Sequence, residues 1–340
     1  MKVFMPSRIL DRQVGGNTTY ARNVARGLHE RGIEVGRIPA GGNPIGTAIL
    51  ETAAALRRPQ GVLHYVADTG PSIKTRAPSV VTVHGVASRW ISTARTSRQE
   101  FVWRQRVAAA IRNTDRIITV SESSADDVSH VFGVSRDEIN VIHHGIDTAL
   151  FSGPASLSES IGAKIPSDFL LYVGNIEPRK NLGALISAID RLAGSSSALP
   201  LVIAGRPAWN YEETMRIIDD SPNVIYLGFV TDEDRRALMQ LCTLFVFPSL
   251  YEGFGFPILE AMAAGAPVLT TDNGSLAEVR GPSWLIEGTE PDAIMSAIGQ
   301  ALQDPAWIRQ AGSAGQEWAG RFNWDRSVEM HVRVYEGLLE

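Results

Sequence analysis

Residues 244–265 have the sequence LFVFPSLYEGFGFPILEAMAAG, and this stretch decides the fold. Its apolar start, Leu244–Phe247, predicts a short buried strand. The segment from Pro257 to Ala264 predicts a helix, because proline is favoured in a first helical turn and Gly265 follows the end. A buried strand that leads through a glycine-rich loop into a helix is typical of a parallel α/β sheet.

Glu252 and Glu260 lie in this stretch with seven residues between them, and they indicate the kind of ligand. The glycines between them allow backbone to approach a ligand closely. The start of the predicted helix directs N–H groups and a positive dipole end at the same place. Amides of this kind bind an anion, and carboxylates accept hydrogen bonds from hydroxyl groups. A nucleotide sugar has both features, although Glu260 alone is also explained by the helix dipole.

The whole chain has the composition of a soluble globular protein. Its 340 residues are enough for two domains of about 150–170 residues each. A net charge of −5 argues against a general nucleic-acid binder, and the single cysteine, Cys242, excludes an intrachain disulfide. The sequence contains no zinc-type cluster, signal peptide or transmembrane run, so we expect a cytoplasmic protein.

Short apolar runs alternate with segments of helical period along the chain, which predicts an α/β fold. The alternation favours two Rossmann-like, doubly wound parallel-sheet domains that face each other across a ligand-binding cleft. The predicted strands are Val3–Met5, Leu63–Val66, Val80–His84, Arg116–Val120, Asn140–His143, Phe169–Val173, Leu201–Ala204, Val224–Leu227, Thr243–Phe247, Val268–Thr271 and Trp284–Ile286.

Four segments follow from this pattern. Residues 1–150 form the predicted N-terminal, acceptor-side domain, and residues 168–323 form the C-terminal nucleotide-sugar domain. Residues 151–167 are rich in glycine, proline and serine and predict a linker. Residues 324–340 predict an amphipathic helix that closes the fold by packing back towards the N-terminal domain.

Two strand-to-helix loops carry candidate phosphate-binding groups. Gly15 and Gly16 precede a predicted helix, where backbone can pass close to a phosphate; the alternative is an ordinary tight turn. The pair lacks the GxGxxG pattern of dinucleotide-binding proteins. Arg179 and Lys180 follow the first strand of the second domain and form a predicted diphosphate clamp, the alternative being a solvated basic turn. Arg206, after another strand of that domain, is a further phosphate-binding candidate.

Three other features have two interpretations each. His84 ends a predicted strand and either binds a substrate hydroxyl or is structural. The segment 232–234, Asp-Glu-Asp, matches a metal-binding pattern but better fits the acidic first turn of a helix, so we expect no metal. Residues 89–112 combine six arginines with aromatic residues, which indicates a core-packed helix with a basic face or a helix that contacts anionic lipid or a phosphate-bearing acceptor.

Together these segments resemble the family 4 retaining glycosyltransferases of the GT-B fold. The resemblance covers nearly the whole chain, and the Glu252/Glu260 spacing matches the E-x7-E motif of that family. The segments that carry it are VTVHGV (81–86), ITVSESS (118–124), VIHHGID (141–147), VGNIEPRKNL (173–182), VIYLGFVTDEDRRALM (224–239) and FPSLYEGFGFPILEAMAAGAPVLTTDNGSLAEV (247–279).

The resemblance implies a role for each matching residue. The implied catalytic residues are His84, Arg179, Lys180 and Glu252, with His84 on a donor-sugar hydroxyl, the two cations on the diphosphate and Glu252 on the sugar. The implied substrate-binding residues are Gly15, Gly16, Asn175, Arg206, Phe254, Gly255, Phe256 and Glu260, with Glu260 on the ribose. Many members have arginine where this chain has Asn175, so Arg179 or Arg206 would meet part of the phosphate charge. The chain also has His144 where Asn is usual, which leaves the acceptor chemistry open.

The sequence therefore predicts metal-independent transfer of a hexosyl unit from a nucleoside diphosphate sugar to an acceptor hydroxyl, with retention at the anomeric carbon. GDP-mannose is the first choice of donor, because the EPRKNL pattern resembles mannosyl-transferring members, and UDP-sugars follow. The acceptor class stays open between a glycan, a lipid-linked glycan and a small metabolite. The alternatives are a nucleotide-sugar epimerase or hydrolase of the same fold and a non-catalytic nucleotide-sugar-binding protein.

Overall fold

A computed structural model describes residues 1–12, 15–91, 97–195 and 197–340. The chain divides into two compact units, one formed by Met1–Gly145 with Phe322–Glu340 and the other by Ile146–Arg321. We call them unit 1 and unit 2. The sequence placed the boundary at residue 150, whereas the units part at Gly145 and Ile146. The cleft between the domains stays a prediction.

Unit 1 is built on one parallel sheet of six strands. Its strands are β1 (Lys2–Pro6), β2 (Glu34–Ile38), β3 (Val62–Tyr65), β4 (Ser79–Val83), β5 (Arg116–Thr119) and β6 (Ile139–Val141), and their order in the sheet is β2-β1-β3-β4-β5-β6. The helices that precede unit 2 are α1 (Ser7–Leu10), α2 (Gly16–Glu30), α3 (Pro44–Leu56), α4 (Ser97–Asn113) and α5 (Glu122–Phe132). The sequence pattern missed β2, which lies at the edge of the sheet and pairs with β1.

Alternate residues of the central strands of unit 1 enter different hydrophobic cores. Val80 of β4 packs in one cluster with Tyr20 and Val24 of α2, while its neighbour Val81 packs in another with Val107 of α4. Because successive side chains of a strand point to opposite faces, both faces of the sheet are covered by helices. Unit 1 is therefore doubly wound, as predicted.

Unit 2 also has a parallel sheet of six strands. Its strands are β7 (Leu170–Val173), β8 (Leu201–Ala204), β9 (Val224–Gly228), β10 (Leu244–Phe247), β11 (Val268–Thr270) and β12 (Trp284–Leu285), in the order β12-β11-β10-β7-β8-β9. Its helices are α6 (Thr148–Ser152), α7 (Glu159–Gly162), α8 (Leu182–Leu192), α9 (Glu212–Asp220), α10 (Asp232–Leu241), α11 (Phe256–Ala263), α12 (Leu276–Val279), α13 (Pro291–Leu302) and α14 (Pro305–Ala319). The predicted linker 151–167 belongs to this unit and contributes to its short helices α6 and α7.

The strand order of each sheet reverses at one point. In unit 1 the reversal falls between β1 and β3, and in unit 2 it falls between β7 and β10. Open α/β sheets bind ligands outside the carboxyl ends of the strands at such a switch point. The loops that follow β7 and β10 are therefore the first place to look for a site in unit 2.

The last helix, α15 (Trp324–Glu336), returns to unit 1 after the chain has completed unit 2. Its buried residues include Val328 and Tyr335, which join Tyr20 and Leu28 of α2 in one hydrophobic cluster. The side chain of Val328 lies against Gly27, where even a methyl group would be within 2.6 Å of it. Close helix packing of this kind makes α15 an integral part of unit 1.

Candidate functional site

The switch point of unit 2 carries four charged side chains from two loops. Glu177, Arg179 and Lys180 follow β7, and Glu252 follows β10. Residues 178–180 form a 3-10 turn, and Asn181 then adopts a left-handed backbone with φ of 58° before α8 begins. The turn thus places two cations at the carboxyl edge of the sheet, where the sequence predicted them.

Glu252 joins both cations. Its Oε1 lies 2.5 Å from Lys180 Nζ and its Oε2 lies 2.6 Å from Arg179 Nη1. Ser249 Oγ donates a further hydrogen bond of 2.7 Å to Oε1. Arg179 Nε is also 2.5 Å from Glu177 Oε1, so cations and carboxylates alternate through the cluster. The cluster is neutral overall, which is the arrangement that buried charges require.

Burial and charge act against each other on these groups. Burial alone would raise the pKa of Glu252, but Arg179 and Lys180 outweigh it and lower that pKa from 4.5 to about 2. Burial opposes the charge of Arg179, and Glu252 and Glu177 more than compensate, so its pKa is raised. The pKa of Lys180 is lowered, first by burial and then by neighbouring Arg179, against the opposing pull of Glu252. The carboxylate of Glu252 is therefore ionised at neutral pH.

The two loops are also joined through their backbones. Leu250 N donates to the carbonyl oxygen of Arg179 at 2.8 Å, and Ser249 Oγ lies 3.0 Å from the same oxygen. Arg179 Nη1 in turn donates to the carbonyl oxygen of Tyr251 at 3.0 Å. The guanidinium group thus has a fixed position, which is the condition for a preorganised anion site.

Helix α11 begins next to this cluster. Its N-cap, Gly255, has φ of 102°, which side chains rarely adopt, and a Cβ there would meet Leu276 Cδ2 at 3.0 Å. Only glycine fits, and it turns the backbone so that the first turn of α11 starts at Phe256. The sequence placed the amides of Phe254, Gly255 and Phe256 at the ligand, and the structure sets them at this helix start.

Glu260 lies on α11 and is paired with a residue that the sequence did not single out. Its Oε2 accepts a hydrogen bond of 2.7 Å from Arg235 Nη1, while its Oε1 has no hydrogen bond to any residue that the structure describes. Burial raises the pKa of Glu260, although Arg235 opposes this shift. Little in the sequence indicates that Arg235 belongs to the site, because this residue lies within a polar helical run rather than in a strand-to-helix loop.

Asn175 and Arg206 lie at the same edge of the sheet, after β7 and β8, and both are exposed. The guanidinium carbon of Arg206 is 3.8 Å from the ring centroid of Phe229, which follows β9. Arg206 therefore makes a cation–π contact with the exposed ring of Phe229. It does not join the Arg179–Glu252 cluster by any described ion pair.

In unit 1, Gly15 is the N-cap of α2 and Gly16 is its first residue, whereas the sequence placed both glycines before the helix. Gly15 has φ of 115° and ψ of 148°, a conformation essentially restricted to glycine, and a Cβ there would meet nothing within 4 Å. The backbone N–H groups of Thr18 and Thr19 both donate to the Gly15 carbonyl oxygen, at 2.9 and 3.0 Å. The helix therefore starts at an open backbone turn.

His84 directly follows β4 and is held at several points. Its backbone N–H donates to Asp68 Oδ1 at 2.8 Å, and its ring Nε2 donates to the carbonyl oxygen of Val66 at 2.9 Å. Since a carbonyl only accepts, the neutral ring has its proton on Nε2 and its lone pair on Nδ1. Asp68 itself has a left-handed backbone with φ of 58°, a strained state for a residue other than glycine. His84 is suited to accept a hydrogen bond from a hydroxyl group.

The remaining candidates behave mostly as ordinary structure. Thr231 caps α10 by accepting from Asp234 N, so the Asp-Glu-Asp segment is the predicted acidic first turn. In the described part of the chain no group of three or more His, Cys, Asp or Glu residues could hold a metal ion. Within residues 89–112, helix α4 exposes Phe101 and Val102, while positions 92–96 lie outside the described residues. Of the helices described, none is long and apolar enough to cross a membrane.

Two Rossmann-like units in one chain define the GT-B fold class, and comparison with solved structures agrees. The chain aligns with sucrose-phosphate synthase from Thermosynechococcus elongatus at a TM-score of 0.76, with 17% identity and 99% coverage of both chains. At that identity the likeness establishes the fold alone.

Sequence comparisons then place the chain in a family. Residues 156–318 match the model of glycosyl transferases group 1, and residues 43–150 match glycosyltransferase family 4. The O-antigen chain mannosyltransferase B of Escherichia coli is 32% identical over 234 residues, which are 65% of this chain and 60% of that protein. The MMP alpha-(1->4)-mannosyltransferase of Mycolicibacterium hassiacum is 30% identical over 277 residues, 76% of this chain and 65% of that protein. The chain belongs to the family 4 glycosyltransferases, and it spans about 60% of the length of the first of these relatives.

Proposed function

We propose that this protein transfers a hexosyl unit from a nucleoside diphosphate sugar to an acceptor hydroxyl, with retention at the anomeric carbon. The observation that carries the proposal is the pair of cations, Arg179 and Lys180, fixed by Glu252 at the switch point of unit 2. A diphosphate is the donor group that needs such a pair, because negative charge develops on it as the glycosidic bond breaks.

The donor diphosphate binds beside Arg179, Lys180 and the first amides of α11. The guanidinium group supplies further N–H donors, and the helix start adds amides and a positive dipole end. These groups stabilise the departing diphosphate without a metal ion. The ribose hydroxyls bind Glu260 through Oε1, the oxygen that Arg235 does not use.

Glu252 holds the cations as well as the sugar. In the structure its two oxygens are engaged by Lys180 and Arg179, so its first task is to orient both groups towards the phosphates. A sugar hydroxyl adds to this set through a remaining lone pair, since each carboxylate oxygen accepts more than one hydrogen bond.

On unit 1, Nδ1 of His84 accepts a hydrogen bond from a donor-sugar hydroxyl. The acceptor oxygen attacks the anomeric carbon on the face that the diphosphate leaves. The bond from carbon to phosphate oxygen breaks as the new carbon–oxygen bond forms, and the acceptor proton passes to that phosphate oxygen. Retention follows because the new bond replaces the old one on the same face.

GDP-mannose is the proposed donor, with UDP-sugars as the next choice. The names of both reported relatives specify mannosyl transfer, which supports mannose. The acceptor class is a carbohydrate, either free or linked to lipid, and O-antigen synthesis by one relative favours a cell-envelope glycan.

We further propose that the protein is cytoplasmic and that its helix α4 touches the inner membrane surface through the exposed side chains of Phe101 and Val102. A flotation assay with vesicles of anionic lipid tests this contact.

A binding panel followed by a turnover assay tests the function. GDP, UDP, ADP and dTDP are compared by thermal shift, since a ligand that binds only the folded protein raises its midpoint. GDP and GDP-mannose are expected to give the largest rise in the unfolding midpoint. Adding a metal chelator is expected to leave that rise unchanged, because no metal ion takes part in donor binding. The bound donor is then incubated with and without mannosyl acceptors, and the anomeric configuration of the product is read by NMR.

Two outcomes would favour the alternatives. Fast conversion of the donor with no acceptor present indicates a nucleotide-sugar epimerase or hydrolase. Tight donor binding without turnover on a broad acceptor panel indicates a non-catalytic binding protein. An inverted product would contradict the retaining mechanism while leaving the transferase proposal intact.

A further inference from the structure

A chain of buried hydrogen bonds runs through unit 1 and is separate from the groups that bind the donor in unit 2. It connects Tyr335 and His331 of α15 with three side chains of the sheet and α2. Tyr335 Oη is 2.7 Å from His64 Nδ1, and His64 Nε2 is 2.8 Å from Thr82 Oγ1. Thr82 Oγ1 is 2.9 Å from Tyr20 Oη, which is 2.7 Å from His331 Nε2.

The far end of this chain fixes its direction. His331 Nδ1 is 2.7 Å from the carbonyl oxygen of Ser327, which only accepts, so Nδ1 carries the proton. Burial lowers the pKa of His331 to about 4, so the ring is neutral and Nε2 is an acceptor. Tyr20 therefore donates its hydroxyl proton to His331.

The rest of the order follows from Tyr20. Tyr20 has donated its single hydroxyl proton to His331, so its oxygen accepts a hydrogen bond from Thr82 Oγ1. Because the Thr82 hydroxyl has then used its only proton, Thr82 accepts a hydrogen bond from His64 Nε2. Burial lowers the pKa of His64 as well, so its ring has one proton, on Nε2, and Tyr335 donates to Nδ1. Tyr335 donates once at the start of this path, and the four members after it each donate once and accept once, which is the condition under which a buried polar network adds rigidity.

Tyr20 connects this network to His84. The two ring centroids are 5.0 Å apart at an interplanar angle of 80°, an edge-to-face contact, and the Tyr20 ring also lies 4.8 Å from that of His144. Because Tyr20 is fully buried and fixed at its hydroxyl group, its ring is a rigid wall beside the imidazole of His84.

We propose that Tyr20, held by His331 and Tyr335 of the C-terminal helix, is a positioning residue that fixes the orientation of the His84 imidazole. The inference rests on the proposed function, in which His84 contacts the donor sugar. It assigns a second task to α15, because the last helix of the chain would then be required for the geometry of the site and not only for the stability of unit 1. Small displacements of groups at a reacting centre are costly.

Histidine NMR tests the proposed order of protons without any substrate. The long-range ¹H–¹⁵N spectrum identifies the protonated nitrogen of each neutral ring. We expect Nε2–H for His64 and His84 and Nδ1–H for His331. In Tyr335→Phe, His64 loses its donor at Nδ1 but keeps its proton on Nε2, because Thr82 still accepts there, and we expect the His64 Nδ1 resonance and the resonances of His84 to shift. Unchanged His84 resonances in both Tyr335→Phe and Tyr20→Phe would overturn the proposal.

Kinetics with a matched control separates positioning from stability. Tyr20→Phe keeps the ring but removes the hydrogen bonds of its hydroxyl group with His331 and Thr82. We expect kcat to fall about tenfold with a nearly unchanged donor KM. Val328→Ala on the same helix removes packing against Gly27 of α2 but none of the hydrogen bonds of the network. An equal loss of kcat in Val328→Ala would show that α15 acts through stability alone.

The two proposals fail in different ways. If no donor and acceptor pair gives turnover, the proposed function fails while the His84 resonances still report on the network. If Tyr20→Phe does not fold, Tyr335→Phe provides the same test at the other end of the chain, three hydrogen bonds away from Tyr20. Wild-type kcat together with wild-type His84 resonances in that variant would overturn the inference.

Discussion

Lys180 Nζ and Glu252 Oε1 lie 2.5 Å apart, although 72 residues separate them along the chain. Lys180 is almost fully enclosed, and its ammonium group is also 4.6 Å from the ring centroid of Phe247. An enclosed ammonium group is stable only with a carboxylate partner, and the same enclosure strengthens its attraction for any anion that reaches it. The pair therefore accounts for both the stability of the loops and the proposed diphosphate site.

Removing the charge of Lys180 is expected to slow the reaction. Lys180→Ala is expected to lose about 2–4 kcal/mol of transition-state stabilisation, because one donor to the departing diphosphate is gone. Measured as kcat at saturating donor, the loss is about 30- to 1,000-fold. Exposed Lys164→Ala provides the control in unit 2. Near-wild-type turnover of Lys180→Ala would remove Lys180 from the proposed mechanism.

Neutralising Glu252 is expected to destabilise unit 2. Glu252→Gln leaves Arg179 and Lys180 with Glu177 as their remaining carboxylate, and breaking a buried pair in this way costs about 3–5 kcal/mol in the free energy of unfolding. Urea unfolding at pH 7 measures the loss, with exposed Glu287→Gln as the control. A midpoint equal to that of the wild-type protein would contradict the assignment of the buried ion pairs.

The same pair gives a pH dependence of known sign. The pKa of Glu252 is lowered from 4.5 to about 2, so its contribution, about 3 kcal/mol, is complete above pH 4.5. It is lost as the pH falls towards 2, because the unfolded chain binds the proton first. The difference in unfolding free energy between wild type and Glu252→Gln should therefore be constant above pH 5 and shrink between pH 4 and 3. A constant difference down to pH 3 would be the contrary result.

Gly255 allows a test of the helix start with a matched control. Gly255→Ala places a side chain at φ of 102° and against Leu276, so we expect a loss of stability of about 1–2 kcal/mol and weaker donor binding. Gly299→Ala lies within α13 where a Cβ meets nothing within 4 Å, and it is expected to be neutral or stabilising by about 0.5–1 kcal/mol. Unfolding midpoints and the thermal shift with GDP measure both effects. Equal donor binding in the two variants would show that the backbone turn at Gly255 does not contribute to the donor site.

The fold was largely predictable because the central strands are continuous apolar runs. Leu170–Val173 and Leu201–Ala204 are buried at every position, and the second of these strands has the predicted bounds. The missed strand, Glu34–Ile38, is half-exposed at a sheet edge and contains two charged residues and a glycine. An edge strand of this kind lacks the hydrophobic signal on which the prediction depends.

The candidate site was predictable in its place but not in its pairing. Arg179 and Glu252 were identified because each follows a strand, and the carboxyl ends of neighbouring parallel strands share one edge. Which carboxylate meets which cation depends on the conformation of the loops, and no periodic pattern encodes it. Two examples are the ion pair of Glu260 with Arg235 and the hydrogen bond of Tyr20 with His331, which lies 311 residues away in the chain. The local sequence around these residues does not indicate either contact.

Burial of His331 predicts that acid weakens unit 1 before it affects the Glu252 pairs. Its pKa falls from 6.5 to about 4, so the neutral ring contributes stability that is complete above pH 6.5 and is lost as the pH falls towards 4. Between pH 7 and pH 5 the free energy of unfolding of unit 1 should fall by about 2 kcal/mol on account of this residue alone. His331→Gln removes the titrating ring: it should be less stable than wild type at pH 7 but should lose less stability between pH 7 and pH 5. Urea unfolding of both proteins, followed through the hydrogen exchange of unit 1 amides, measures the two slopes. Parallel slopes would mean that His331 does not titrate in this window, and the neutral ring on which the order of the buried hydrogen bonds depends would then lose its support.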